Sequence, residues 1–148
     1  MREALKEAKK AFERDEVPVG CVIVHDGKII ARAHNQVETL KDPTAHAEMI
    51  AITQAAASLK TKWLKDCYAY VTIEPCLMCA GALILARIKR LIFGATDLKT
   101  GAFGSVYDIL KSKHLNHRFE VKPGILEEDC SFIISEFFKG KRSKELTK

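Results

Sequence analysis

Two short patterns in this chain carry side chains able to do chemistry, His46-Ala47-Glu48 and Pro75-Cys76-Leu77-Met78-Cys79. A Cys-x-x-Cys pair on the first turn of a helix sets its sulfurs at i and i+3, on one face, where both reach a single tetrahedral metal with bonds of about 2.3 Å. The unpaired N–H groups and positive dipole end of such a terminus favour the thiolate forms. With His46 as a third ligand the set becomes His/Cys/Cys. No convincing fourth ligand accompanies it, and an open fourth position separates a catalytic zinc from a closed structural one. Other readings stand beside this one. Cys-x-x-Cys also serves as a redox pair, although thioredoxin-like proteins place it in a different order of strand and helix and need no His-x-Glu. Cys76 and Cys79 can also be small buried hydrophobes, and His46 a helix-cap histidine. The pairing of two motifs, each at a proline-marked helix start and separated by one strand, favours the metal.

The elements that must position these residues are legible as hydrophobic periods and turn signals. Leu5, Ala8 and Phe12 predict a first helix over residues 2–14 whose apolar stripe covers something else. Residues 19–24 and 28–33 are β-branched-rich runs joined through His25-Asp26-Gly27, a hairpin signal because Asp-Gly tolerates positive φ. Asp42-Pro43-Thr44 offers an N-cap followed by proline, predicting a helix from about residue 43–45 to Leu59. Strands are expected over 67–73 and 90–95, a helix over 76–87 and a short helix over 104–110. A weak strand over 118–121 and a final amphipathic helix over 126–139 complete the chain. The order α-β-β-α-β-α-β-α-β-α predicts a mixed five-stranded sheet with helices on both faces, a three-layer α/β/α domain. Residues i and i+2 of a regular helix lie about 200° apart. His46 and Glu48 can therefore face one centre only if the chain is just entering its helix there.

Composition bounds the rest. With 148 residues, 47% hydrophobic and 29% charged, the chain reads as one globular domain over 1–148 and excludes bulk disorder. The longest uncharged run, Pro75 to Ala86, has 12 residues and is too short to span a membrane. The N-terminus lacks an apolar signal segment, so a cytoplasmic location is expected. Five cysteines, an odd number at irregular spacing, argue for thiols or metal ligands, with Cys21, Cys67 and Cys130 as core residues. The net charge of +5 gathers at one end, where residues 139–148 hold five cations against one acid. This is expected to form a basic tail, fit for nucleic acid or simply solvated.

His-x-Glu with Pro-Cys-x-x-Cys is the signature of the zinc-dependent cytidine and deoxycytidylate deaminase superfamily. The sequence resembles its bacterial tRNA adenosine deaminases across most of its length. The resemblance rests on residues 16–20, 42–48 and 72–82, then on Phe93-Gly94-Ala95, Asp97, Lys99-Thr100-Gly101, Gly104-Ser105-Val106, Leu115-Asn116-His117 and Phe137-Phe138 before the basic end. It departs in a short N-terminus, in Cys21 where alanine is expected, and in Lys141-Arg142 standing for a basic pair.

That resemblance implies a cytidine-deaminase-like fold and one zinc ion per subunit held by His46, Cys76 and Cys79. Glu48 would be the general acid/base, and the reaction a hydrolytic attack at C6 of adenosine that yields inosine and ammonia. It also implies that Asn35 and the backbone of Ala47 contact the target base, and that Asp97, Lys99, Asn116 and His117 lie near anticodon nucleotides. Phe138 adjoins Phe137 and both cannot centre one buried stripe, so Phe138 either stacks on an RNA base or packs at the core edge. Lys141 and Arg142 would meet phosphates. The implied partners are a tRNA anticodon stem-loop and a second copy of the chain in a homodimer, with no membrane. Two other functions share these residues: a free-base or nucleoside deaminase acting on guanine, cytosine or cytidine, and a non-catalytic zinc-stabilised RNA-binding subunit. A basic terminus is unnecessary to the first, and the presence of Glu48 argues against the second.

Overall fold

Asp26 and Gly27 both take positive φ, 52° and 73°, and close the hairpin between β1 (Gly20–His25) and β2 (Lys28–His34). In the computed structural model, which describes residues 1–148, this pair forms one side of a five-stranded sheet ordered β2-β1-β3-β4-β5. β3 (Cys67–Ile73) runs antiparallel to β1, while β4 (Arg90–Ala95) runs parallel to β3 and β5 (Glu120–Lys122) parallel to β4. Helices α3 (Ala47–Leu59) and α4 (Leu77–Leu85) cover one face, and α1 (Arg2–Glu13) and α5 (Glu127–Leu146) the other. The three layers and mixed sheet are those expected.

The core between the sheet and α3 holds Cys21, Ile23, Ala69, Val71, Leu83, Leu91 and Phe93, with Ala47, Ala51 and Ala55 along one face of α3. On the other face α1 differs from expectation. Its buried stripe is Ala4, Ala8 and Ala11 with Glu7, while Phe12 is exposed at the edge. Small residues are required there, because a Cβ on Gly20 would lie 1.9 Å from the carbonyl oxygen of Ala4 and 2.6 Å from the nitrogen of Ala8. Phe12 instead meets Phe137 edge to face, with ring centres 5.8 Å apart. Cys21, Cys67 and Cys130 are buried, as a core role requires, and burial pushes the thiols of Cys67 and Cys130 up to about 11.

Four boundaries also differ. Asp42-Pro43-Thr44 is a turn rather than a helix start. The Asp42 carboxylate accepts the Thr44 backbone N–H at 2.8 Å and its hydroxyl at 2.7 Å, so the helix begins only at Ala47, after a four-residue helix α2 (Val37–Leu40). The short helix expected over 104–110 is absent. That segment is loop, with a single 3-10 turn at Ile109–Lys111: the Ser105 amide goes to a distant carboxylate described below, and those of Val106, Tyr107 and Ile109 go back to the Gly101 and Ala102 carbonyls. The weak strand lies at Glu120–Lys122 rather than 118–121. The final helix continues to Leu146, so Lys139, Lys141, Arg142 and Lys144 occupy two further helical turns, with Lys148 beyond its end.

Candidate active site

The chain is extended at both motifs and turns helical immediately after. His46 (φ −72°, ψ 150°) is the N-cap of α3, and Cys76 (φ −77°, ψ 177°) the N-cap of α4. This resolves the angular problem posed by His46 and Glu48, since only Glu48 lies on the helix proper. His46 Nδ1 is 3.6 Å from Cys76 Sγ and 3.5 Å from Cys79 Sγ. The donor atoms of all three residues lie within 4.8 Å of one another. Tetrahedral bonds of zinc to nitrogen and sulfur place those donors about 3.6 Å apart, so the triangle fits that ion. Two cysteines and an imidazole are also the donor set zinc prefers.

Charge is arranged to match. The Cys79 thiol beside it, and then the His46 imidazole, hold Cys76 down at about 4, while the same contact with Cys76, with burial, pushes Cys79 up. One thiolate is therefore present before any metal binds. His46 is raised by its hydrogen bond to Cys76. Glu48 is 3% exposed, and burial raises its pKa, with His46 and Cys79 beside it. A carboxyl brought closer to neutral pH by its surroundings is suited to giving and taking protons.

Asn35 follows β2, with its N–H bonded to the Val19 carbonyl at 3.1 Å and its side-chain amide donating to Val17 at 3.3 Å. Its Oδ1 is the one buried side-chain polar atom in the chain without a hydrogen-bond partner. A buried acceptor left open is costly unless a ligand fills it. Ala47, fully buried between His46 and Glu48, offers only its backbone.

Two buried glutamates that the sequence did not single out organise the loops around this centre. Glu16 accepts the N–H groups of Glu38 and Thr39 at 2.6 and 3.2 Å and so caps α2 beside Asn35. Glu74, next to Pro75, accepts the N–H groups of Asp97, Phe103 and Ser105 at 3.1, 2.9 and 3.2 Å, and the Ser105 hydroxyl. Gly101 is pressed against it: a Cβ there would lie 2.4 Å from the Glu74 carboxyl carbon. The only sequence signal was a glutamate immediately before Pro-Cys.

The remaining predicted residues divide by place. Asp97 turns its loop by accepting the N–H groups of Lys99 and Thr100, leaving Lys99 exposed. Phe137 is buried and Phe138 is 41% exposed, edge-on to it. Lys141 pairs with Asp15 at 2.7 Å, next to Glu16, which puts the end of α5 on the Asn35 side, and Arg142 is exposed. Asn116 and His117 lie elsewhere. His117 bonds the Ile88 carbonyl at 2.7 Å and Arg87 donates to the Asn116 carbonyl at 3.4 Å, at the end of β4 remote from Cys76 and Cys79.

The family model of the MafB19-like deaminases matches residues 1–142. The chain is 54% identical to the tRNA-specific adenosine deaminase of Aquifex aeolicus (strain VF5), over 97% of this chain and 94% of that one. It is 49% identical to the tRNA-specific adenosine deaminase of Bacillus subtilis (strain 168), over 98% and 90%. Among solved structures it resembles one from a study of A-to-I editing by tRNA:A34 deaminases at the wobble position of transfer RNA, with a TM-score of 0.87 and 44% identity, covering 90% and 96% of the two chains. It also resembles guanine deaminase from Bacillus subtilis, with a TM-score of 0.63 and 32% identity over 96% and 90%.

Proposed function

The chain belongs to the family of tRNA-specific adenosine deaminases, and from that premise we propose how its residues convert the wobble adenosine of a tRNA anticodon to inosine. The observation that carries the assignment of roles is the spacing of His46 Nδ1 from the two sulfurs, 3.6 and 3.5 Å, with Glu48 buried alongside. His46, Cys76 and Cys79 would hold one zinc ion, which when bound supplies the Lewis acidity that makes water a nucleophile near neutral pH. Glu48 takes a proton from the attacking water as its oxygen bonds to C6 and delivers it to N1 of the ring; it then takes the remaining proton of the C6 hydroxyl and passes it to the exocyclic amine. The C6–N bond breaks and ammonia leaves. The raised pKa of Glu48 suits both directions of transfer.

The open acceptor of Asn35 receives a donor of the bound nucleotide, and the backbone of Ala47 contacts the base. Asp97 and Lys99, on the loop tied to Glu74, face nucleotides beside it. Phe138 presents its exposed ring to a base, and Lys141 and Arg142 meet phosphates. Asn116 and His117 contact a part of the RNA other than the reacting base, given their place at the far end of β4. The working assembly is a homodimer. α4 exposes Leu77 and Leu85 on a side where a Cβ at Gly81 would meet nothing, an apolar stripe suited to a second copy. No helix is long and apolar enough to cross a membrane, and five free cysteines suit the reducing cytoplasm where tRNA is found.

The test is incubation of zinc-quantified protein with an anticodon stem-loop carrying wobble adenosine, alongside free guanine, cytosine and cytidine. Inosine from the stem-loop alone is expected. Turnover of a free base with none of the stem-loop would transfer the site to small-molecule deamination, and full zinc with no turnover would favour a binding subunit.

A further inference from the structure

We propose that the basic surface around Trp63 is a second RNA-binding surface, which holds phosphates of the tRNA outside its anticodon loop. It lies at the other end of the sheet from the metal cluster. Trp63 and Lys65 lead into β3 at Cys67, whereas Cys76 follows its last residue, Ile73, and a strand of 7 residues sets those ends roughly 20 Å apart. β4 runs parallel to β3 with Arg90 opposite Tyr68, which brings Arg87 and Lys89 to the same end.

Trp63 is 41% exposed. Lys62 Nζ, Lys65 Nζ and Arg87 Cζ lie 4.9, 5.0 and 5.8 Å from the centre of its ring. Lys65, Arg87, Lys89 and Arg118 line one concavity of about 520 Å³, in which Asp66 is the only acid. Asp66 is 4.0 Å from Lys89 with both side chains mostly exposed, a pair that neutralises little. The two arginines are anchored by carbonyl oxygens rather than carboxylates: Arg118 on Leu110 and Ser112, Arg87 on Asn116. Their positions are thus fixed while their charge stays uncompensated. Fixed cations around an open aromatic face are complementary to a polyanion with flat rings, because phosphates meet the charges while a base or ribose covers the indole.

The inference rests on the tRNA reading above. That reading places one nucleotide in the pocket and leaves the body of the RNA, with most of its phosphates, outside it. A surface that binds phosphates without touching the reacting base should alter affinity and salt dependence but not the chemical step.

The experiment compares wild type with a Lys62→Gln/Lys65→Gln variant on full-length tRNA and on the isolated anticodon stem-loop, over a range of salt. A control, Lys6→Gln/Lys9→Gln, removes the same charge from exposed positions of α1, on another face of the molecule. The variant should bind full-length tRNA about tenfold more weakly, with a salt slope shallower by about 2. Its affinity for the stem-loop and its kcat on it should stay within twofold of wild type. Unchanged binding of full-length tRNA would overturn the proposal, as would equal losses on both RNAs or an equal loss in the control. Binding of wild type to phosphatidylserine vesicles, lost in the variant while tRNA binding is kept, would assign the surface to anionic lipid and overturn it too. Failure of wild type to deaminate the stem-loop would sink the activity reading instead, while binding of full-length tRNA would still report on this surface.

Discussion

Glu74 and Phe103 are 29 residues apart and are joined by a hydrogen bond of 2.9 Å, the backbone N–H of Phe103 donating to the buried carboxylate. Together with the N–H groups of Asp97 and Ser105 and the Ser105 hydroxyl, it ties the start of the metal-binding segment to the loop that carries Asp97 and Lys99. The carboxylate does for this loop what a ladder of backbone bonds does for a strand.

Replacing Glu74 with Gln leaves one acceptor oxygen and turns a donor toward backbone N–H groups. Buried donors then go unpaired, a loss of about 2–3 kcal/mol. Urea denaturation of Glu74→Gln should show that loss. KM for the stem-loop should rise more than kcat falls, because Glu74 positions the loop and does not touch the reacting atoms. A variant as stable as wild type would remove the carboxylate from this role.

Glu48→Gln should separate chemistry from architecture. The substitution keeps shape and removes the proton carrier, so kcat should drop by about 10²–10⁴-fold while one zinc per chain is retained. Burial penalises the charged form of Glu48, so the variant should unfold at the same denaturant concentration or higher. Metal analysis, kinetics and denaturation on one preparation check all three, and retained turnover would refute the proton-transfer role.

Much of this arrangement was legible because short-range rules decide it. Residues 67–73 and 90–95 read as strands from sequence and are strands, being β-branched and aromatic-rich runs bounded by breakers. The extended conformation of His46 followed from the angle between i and i+2 alone. Most of the rest depends on partners far along the chain. A short helix is expected over residues 104–110, yet Glu74 takes the Ser105 amide from 31 residues away. Asp42 serves its own turn rather than a helix, a local competition that proline does not settle. The basic end was expected to be a tail, but Lys141 docks on Asp15 from 126 residues away and the helix continues past Gly140.

The free thiols give a test of the site without substrate. With metal removed by a chelator, Cys76 should be the first cysteine alkylated, because neighbouring Cys79 and His46 hold it at about 4. Its rate with iodoacetamide should stay nearly flat between pH 8 and 6, since the thiolate persists throughout. Cys67 and Cys130, pushed by burial to about 11, should remain unmodified. Restoring zinc should protect Cys76. Mass spectrometry of timed samples reads each site, and a rate that falls tenfold per pH unit below 8 would contradict the assigned thiolate.

The buried stripe on α1 departs from the hydrophobic ranking of its residues for a reason that can be tested. Hydrophobicity ranks Leu5 and Phe12 above alanine, yet close approach to β1 selects Ala4 and Ala8 because Gly20 presents bare backbone beneath them. In Gly20→Ala the added methyl would meet backbone atoms of α1, which cannot turn aside as a side chain can. The helix must lift, at a cost of about 1–3 kcal/mol. Gly140, within α5, has nothing within 4 Å of its would-be Cβ. There the same substitution should stabilise by about 1 kcal/mol through helix propensity alone. Chemical denaturation of the two variants should therefore move the midpoint in opposite directions. Equal and small shifts would mean that α1 does not rest on Gly20 in the way the 1.9 Å approach to Ala4 requires.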